Sequence, residues 1–295
     1  MNVFAELLAQ KPQKKAQKKP ASRPLAEPRE PVAPAPQGEP GGRVERPRPI
    51  AVPTLRLNLE RLARLGMVTP GLENSRVVEE YRYIKRSLLG ATFGAHNEAA
   101  NSNVIVVTSS HSGEGKTFNA INLALSVAME RDHHVLLIDG DIERAGLSRT
   151  LGVARRPGLS NYLLDDRVTL VNTMFKVDGV ERLRVLPSGP LRHDASELLA
   201  SGRMKAFVDE VSARYPDRLV IIDSPPLLAS SSARVLAELA GQVIIIVAAN
   251  ETSMNALDES LKNVPEEKPV RLILNKTTIS EKHDEYRYGY YRKEQ

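Results

Sequence analysis

Val104-Ile-Val-Val-Thr-Ser-Ser-His-Ser-Gly-Glu-Gly-Lys-Thr-Phe118 decides how this chain is read. Val104–Thr108 is a short β-branched run, the composition of a buried strand. It passes straight into a loop with glycines at 113 and 115, and a helix is predicted from Lys116 to about Glu130. Without a Cβ at those two positions, backbone N–H groups can turn inward and wrap phosphate oxygens. Lys116 then reaches β- and γ-phosphates, the Thr117 hydroxyl suits Mg²⁺, and the helix N-terminus adds a favourable field. The predicted nucleotide-binding segment is Ser112, Gly113, Glu114, Gly115, Lys116, Thr117 and Phe118. A GKT triplet carries little weight alone; placed between a strand and a helix it carries much more.

On either side of this segment the pattern alternates. Strands are predicted at Val104–Thr108, Val135–Asp139, Leu183–Leu186, Leu219–Asp223, Val243–Val247 and Val270–Leu274. Helices are predicted over 55–65, 74–89, 159–164, 195–215, 231–239 and 254–263. Short β-rich runs separated by helices imply βαβ units, hence a doubly wound, mainly parallel α/β sheet of Rossmann-like type. Two of the strands end in acids: Val135-Leu-Leu-Ile-Asp139-Gly-Asp141 and Leu219-Val-Ile-Ile-Asp223-Ser-Pro-Pro226. Ligands of open α/β sheets gather at such strand ends, and an Asp there beside a phosphate loop can hold Mg²⁺, directly or through water. One such Asp could merely cap a helix; three on two strand ends are harder to explain that way.

Of the 295 residues, 41% are hydrophobic and 26% charged, enough to bury a sizeable core. The absence of cysteine excludes disulfides, thiolate metal sites and a cysteine nucleophile. The net charge of +5 lies entirely in residues 1–50, which also hold half of the 20 prolines; residues 51–295 carry equal numbers of each sign. The basic balance therefore belongs to a tail and does not imply nucleic-acid binding. Residues 1–54 are expected to be a disordered Pro/Lys-rich arm, either a solvated tether or, through Lys11–Lys19, a contact for anionic lipid. Residues 55–280 form the expected domain and 281–295 a flexible tail. Apolar runs are far shorter than the roughly 20 residues of a membrane span, and the N-terminus lacks the form of a signal peptide. The expected location is the cytoplasm.

These motifs, in this order, resemble the MinD/ParA branch of P-loop ATPases and, within it, the bacterial tyrosine kinases. The loop corresponds to Walker A, with Ser110 in place of its first Gly; Asp139–Asp141 to Walker A′; and Asp223-Ser-Pro-Pro226 to the DxPP form of Walker B. Glu79-Glu-Tyr-Arg82-Tyr-Ile-Lys85 resembles the family's ring-forming Glu-x-x-Arg-x-x-Arg helix, with Lys in the last place. Leu186-Pro-Ser-Gly189 and Asp194–Ser201 are also similar. Asn58-Leu-Glu-Arg-Leu, the compact chain and the segment Asp139–Arg144 resemble the subgroup tied to exosortase and exopolysaccharide loci. In many members an Arg lies two places after the second A′ Asp; here it lies three after Asp141. A MinD/ParA protein carries a cross-subunit lysine where this chain has His111.

The resemblance implies ATP and Mg²⁺, with Lys116, Asp139, Asp141 and Asp223 catalytic, Asp139 as the base, and Thr117, Asp141 and Asp223 at the metal, Asp141 either supporting the metal or positioning Asp139. It implies that Asn275 touches adenine, although a turn-capping role fits that residue equally well. It implies a self-assembled ring through Glu79, Arg82 and Lys85, the octamer being the family's form. A membrane-embedded polysaccharide chain-length determinant protein would be the activator, holding the kinase at the inner membrane. Four of the eight tyrosines crowd the last ten residues: Tyr286, Tyr288, Tyr290 and Tyr291. An unpatterned terminus offers such rings little to pack against, so they read either as a docking tail or as phosphoacceptors for a neighbouring subunit, the second being the expectation. The expected function is an ATP-dependent tyrosine autokinase controlling exopolysaccharide synthesis or export. The alternative is a MinD/ParA-type nucleotide-switched scaffold.

Overall fold

The computed structural model describes residues 52–71, 75–94, 100–214 and 216–278. Most of the predicted arm and the whole predicted tail, with Tyr286, Tyr288, Tyr290 and Tyr291, lie outside the described residues. The elements in chain order are β1 (Thr54–Leu55), α1 (Leu59–Arg64), α2 (Arg76–Phe93), β2 (Val104–Ser109), α3 (Lys116–Ala128) and β3 (His134–Asp139). Next come α4 (Gly146–Thr150), α5 (Leu159–Leu164), α6 (Leu170–Thr173), β4 (Phe175–Val177), β5 (Val180–Leu186), α7 (Ala195–Leu199) and α8 (Gly202–Arg214). The last are β6 (Arg218–Asp223), α9 (Ser231–Leu239), β7 (Gln242–Ala248), α10 (Met254–Lys262) and β8 (Val270–Asn275).

The eight strands form one sheet in the order β1-β4-β5-β3-β6-β2-β7-β8. Six of them, from β5 to β8, are mutually parallel. β4 runs antiparallel to β5, and β1 pairs parallel to β4. The doubly wound α/β expectation therefore holds, with an added antiparallel edge. That edge was not foreseen because Phe175–Val177 is too short to show a period. Thr54, assigned by sequence to the arm, pairs with Lys176 and belongs to the sheet. The helix predicted over 195–215 is two helices, interrupted before Gly202.

Both faces of the sheet are covered, which is why its central strands are apolar without alternation. On one face Ile105, Val107, Val135, Leu137, Leu219 and Ile221 meet α2 and α3. On the other, Val104, Val106, Leu136, Ile138, Val220 and Ile222 meet α5, α7, α8 and α9. Register then places the chemistry. Asp139 stands opposite Asp223 on neighbouring strands, and Val107 stands opposite Asp223 on its other side. The phosphate loop and both acidic motifs thus leave the sheet at one end, beyond the C-terminal ends of its parallel central strands. No helix among the described residues is long and apolar enough to cross a membrane.

α2 starts at an N-cap, Ser75, whose hydroxyl accepts the Val78 N–H. It buries Val78, Tyr81, Lys85 and Leu88, a helical stripe of spacing three and four. Lys85 therefore does not share the outer side of α2 with Glu79 and Arg82. Its Nζ donates to the Ser126 carbonyl at 3.1 Å and pairs with Glu130 at 2.6 Å. Within the chain the Lys85 ammonium therefore seats α2 on α3, away from the side expected for the ring, while Glu79 and Arg82, half-exposed, pair with each other. Lys85→Ala should lower stability in urea denaturation by about 1–3 kcal/mol, the usual cost of leaving a buried acceptor unpaired; an unchanged midpoint would show that the ammonium holds nothing.

Candidate functional site

The loop after β2 depends on two left-handed glycines, Gly113 (φ 91°) and Gly115 (φ 101°). At Gly113 a Cβ would meet open space, so the requirement there is conformational. At Gly115 it would lie 2.1 Å from Asn275 Nδ2, so that position demands glycine twice over. Gly115 is the N-cap of α3 and provides no side-chain hydrogen bond. The first N–H groups of α3 are therefore left for an anion.

Side chains from elsewhere hold the loop in shape. Glu114 is buried; its Oε2 accepts the His111 N–H at 2.8 Å and its Oε1 accepts the Thr252 hydroxyl at 2.5 Å. Asn275, the last residue of β8, donates Nδ2 to the Glu114 carbonyl at 2.8 Å. Asn119 donates Nδ2 to the Gly115 carbonyl at 2.9 Å. Ser260 donates to Ser110 Oγ at 2.8 Å, and a Gly is not needed at 110 because the residue is fully enclosed without a left-handed turn. Ser112 and His111 are exposed, while Phe118 packs partly against the core.

The three carboxylates meet this loop. Thr117, in the first turn of α3, donates its hydroxyl to Asp223 Oδ2 at 2.7 Å. Asp139 is fully buried; Oδ2 accepts both the N–H and the hydroxyl of Ser148, at 2.8 and 2.6 Å, and Oδ1 accepts the Asp141 N–H at 3.2 Å. Asp141 accepts the Arg144 N–H at 3.0 Å, and the Arg144 guanidinium reaches across to Ser112 Oγ at 3.2 Å. Arg144, one place later than the resemblance would have it, thereby bridges the A′ segment and the phosphate loop.

Burial raises the Asp139 carboxyl to about 6, against the opposing pull of the Ser148 bonds. Asp223 is raised well above the carboxylate range by burial and then by Asp139, with Lys116 and Thr117 pulling the other way. Asp223 Oδ1 is buried and has no hydrogen-bond partner. An orphaned carboxylate oxygen beside a threonine hydroxyl and two more acids suits a divalent cation. Among the described residues no three His, Cys, Asp or Glu side chains converge tightly enough to hold a metal by themselves. Mg²⁺ commonly keeps several waters and takes substrate phosphates alongside one or two protein ligands.

Lys116, Thr117, Asp139, Asp141 and Asp223 are thus brought to one place, with Asn275 at its rim, while Glu79 and Arg82 lie on a separate helix. Not anticipated from sequence were Ser148, Thr252 and the pair Tyr81 and Asn119. A usable signal existed for Asn119: with Asn122 and Ser126 it makes a polar stripe on an otherwise apolar α3.

Residues 102–276 match a family described as an AAA domain. The chain is 33% identical over 210 residues to EpsB of Ralstonia nicotianae, covering 70% of this chain and 26% of that protein. It thus spans about a quarter of the length of that relative. It is 29% identical over 229 residues to tyrosine-protein kinase YwqD of Bacillus subtilis, covering 77% of this chain and 90% of YwqD. Its fold superposes on the kinase domain of Escherichia coli tyrosine kinase ETK with a TM-score of 0.58 and 26% identity, over 78% of this chain and 92% of that one. With the phosphate loop, paired acidic strand ends and sheet order described above, the chain belongs to the bacterial tyrosine kinase family within the MinD/ParA-like P-loop ATPases.

Proposed function

We propose that this protein is an ATP-dependent tyrosine autokinase that phosphorylates the C-terminal tyrosines of a neighbouring copy. The observation that carries the reading is the convergence of Thr117 and the orphaned, buried Asp223 carboxylate behind an uncapped helix N-terminus. Tyr286, Tyr288, Tyr290 and Tyr291 are the acceptors. In the transfer a tyrosine oxygen bonds to the γ-phosphorus as the bond to the β–γ bridging oxygen breaks. ADP leaves, and the phenol proton passes to Asp139. Such a loose transition state asks mainly for alignment and charge neutralisation. Lys116 and the loop N–H groups of Ser112–Phe118 hold the phosphates, and Asn275 borders the adenine end. Thr117, Asp141 and Asp223 would hold Mg²⁺, which when bound neutralises charge on the phosphate oxygens.

Asp139 suits a proton acceptor: the Ser148 donors keep its Oδ2 in place, and Oδ1 receives a single longer bond from Asp141. With a pKa raised to about 6 by burial, it stays largely ionised at neutral pH yet is more basic than an ordinary aspartate. Self-association uses the outer side of α2 with Glu79 and Arg82, in a ring of identical subunits. Each phosphate adds roughly −1.5 to −2 charges at pH 7. Several of them make the tail acidic, so it leaves a site lined by three carboxylates and the ring loosens. As the family resemblance implies, the chain works in exopolysaccharide synthesis or export, activated at the inner membrane by a membrane-embedded chain-length determinant protein.

Purified protein incubated with Mg-ATP should gain phosphate in steps visible by mass spectrometry, and Lys116→Met should gain none; equal labelling of both would remove this site from the reaction. An active chain with all four terminal tyrosines changed to Phe should still label the tail of Lys116→Met in a mixture. Transfer confined to each molecule's own tail would contradict a neighbour as acceptor. Sedimentation before and after phosphatase treatment should show the larger species in the dephosphorylated sample, and identical masses would dismiss the cycle.

A further inference from the structure

Tyr81 is buried at 5% exposure on α2, and its hydroxyl donates to Asn119 Oδ1 at 2.7 Å. Burial raises the phenol above its ordinary pKa, so it stays a neutral donor. Asn119 donates both its Nδ2 and its backbone N–H to the carbonyl of Gly115, each at 2.9 Å. Gly115 is the left-handed residue on which the loop turns into α3, and the Asn119 amide lies 3.5 Å from where its Cβ would be. One unbroken run of hydrogen bonds therefore links α2 to the residue that shapes the phosphate loop. A phenylalanine at 81 would fill the same volume, so the hydroxyl is not explained by core packing.

We propose that Tyr81 is a positioning residue: by fixing the Asn119 amide it sets the conformation of Gly115, so that the seating of α2 on α3 and the affinity of the loop for nucleotide are linked. The inference rests on the nucleotide-binding reading of that loop. Without the hydroxyl, Asn119 Oδ1 is left buried and unpaired, and the amide is free to rotate away from the Gly115 carbonyl. Linkage is reciprocal, so nucleotide must in turn hold α2 more firmly on α3. Any contact that displaces α2 then lowers nucleotide affinity without touching the site.

The test is titration of the full chain with a fluorescent ATP analogue and Mg²⁺, using wild type, Tyr81→Phe, Asn119→Ala and the double variant, each checked for folding by circular dichroism. Tyr81→Phe should bind roughly 5-fold more weakly, the scale of one net hydrogen bond. Asn119→Ala should bind at least as weakly, and the double variant should match Asn119→Ala alone, the non-additivity expected of one chain of contacts. In wild type, nucleotide should slow hydrogen exchange across residues 76–93; in Tyr81→Phe that slowing should be lost. Unchanged affinity in Tyr81→Phe, multiplicative losses in the double variant, or a lowered melting temperature with wild-type affinity would each overturn the proposal. A wild-type chain that binds no nucleotide would instead overturn the reading of the loop and take this inference with it.

Discussion

Three carboxylates held out of water at neighbouring strand ends repel one another, and the rest of the site is arranged around that repulsion. Parallel pairing of β3 with β6 fixes Asp139 opposite Asp223, so the two cannot separate without breaking the sheet. Both are raised by burial, and Asp139 further raises Asp223. A carboxylate whose pKa rises on folding opposes folding at neutral pH, because the native state then binds the proton more tightly than the unfolded chain. The protein offsets this with donors of limited reach: Ser148 to Asp139, Thr117 to Asp223, the Arg144 N–H to Asp141. One oxygen, Asp223 Oδ1, receives nothing. That bare oxygen, beside the Thr117 hydroxyl at the start of α3, is a setting that suits a divalent cation.

The loop itself is not self-sufficient. Its glycines permit the turn but do not enforce it, since glycine has more alternative conformations to lose than any other residue. Enforcement comes from Thr252, Asn275 and Asn119, of which the first two lie 138 and 161 residues beyond Glu114 and the third one turn into α3. Glu114 is the hub. Its carboxylate and its carbonyl are each held by a different element, which fixes the residue between the two glycines. A buried carboxylate inside an anion-binding loop would otherwise be hard to reconcile with the loop's purpose. Turned away and hydrogen-bonded, it works as a strut.

What was legible in the sequence follows from the range of the interactions involved. The β-branched runs, the glycines and the strand-end acids act within a few residues of themselves, and their positions survive into the structure. Sheet order and the edge formed by β1 and β4 depend on pairings that reach as far along the chain as Thr54 with Lys176. No local period records such a pairing. The seat of Lys85 was not legible for a related reason: helical spacing puts it near Glu79 and Arg82, but it equally continues the stripe Val78, Tyr81 and Leu88. Only the presence of Ser126 and Glu130 opposite decides between the two sides. Ser148 carried no signal at all, because a serine on a short helix such as α4 is ordinary until its hydroxyl is seen on Asp139.

The stripe on α3 explains why the segment before the phosphate loop is more than a lid on the core. Asn122 Oδ1 accepts the Val68 N–H at 2.6 Å, Asn119 accepts from Tyr81, and the Ser126 carbonyl accepts from Lys85. Apolar contacts between helices tolerate sliding, since one methyl substitutes for another at little cost, whereas hydrogen bonds have one geometry and are expensive to leave unmade. Three of them along one helix therefore fix the register of α2 and the residues before it. A lysine suits the last of these contacts, because a compact ammonium can serve a carbonyl and a carboxylate in different directions, while a planar guanidinium favours two acceptors side by side. The Lys at 85 is thus fitted to a seat inside its own chain, while Glu79 and Arg82 pair with each other on the outer side of α2.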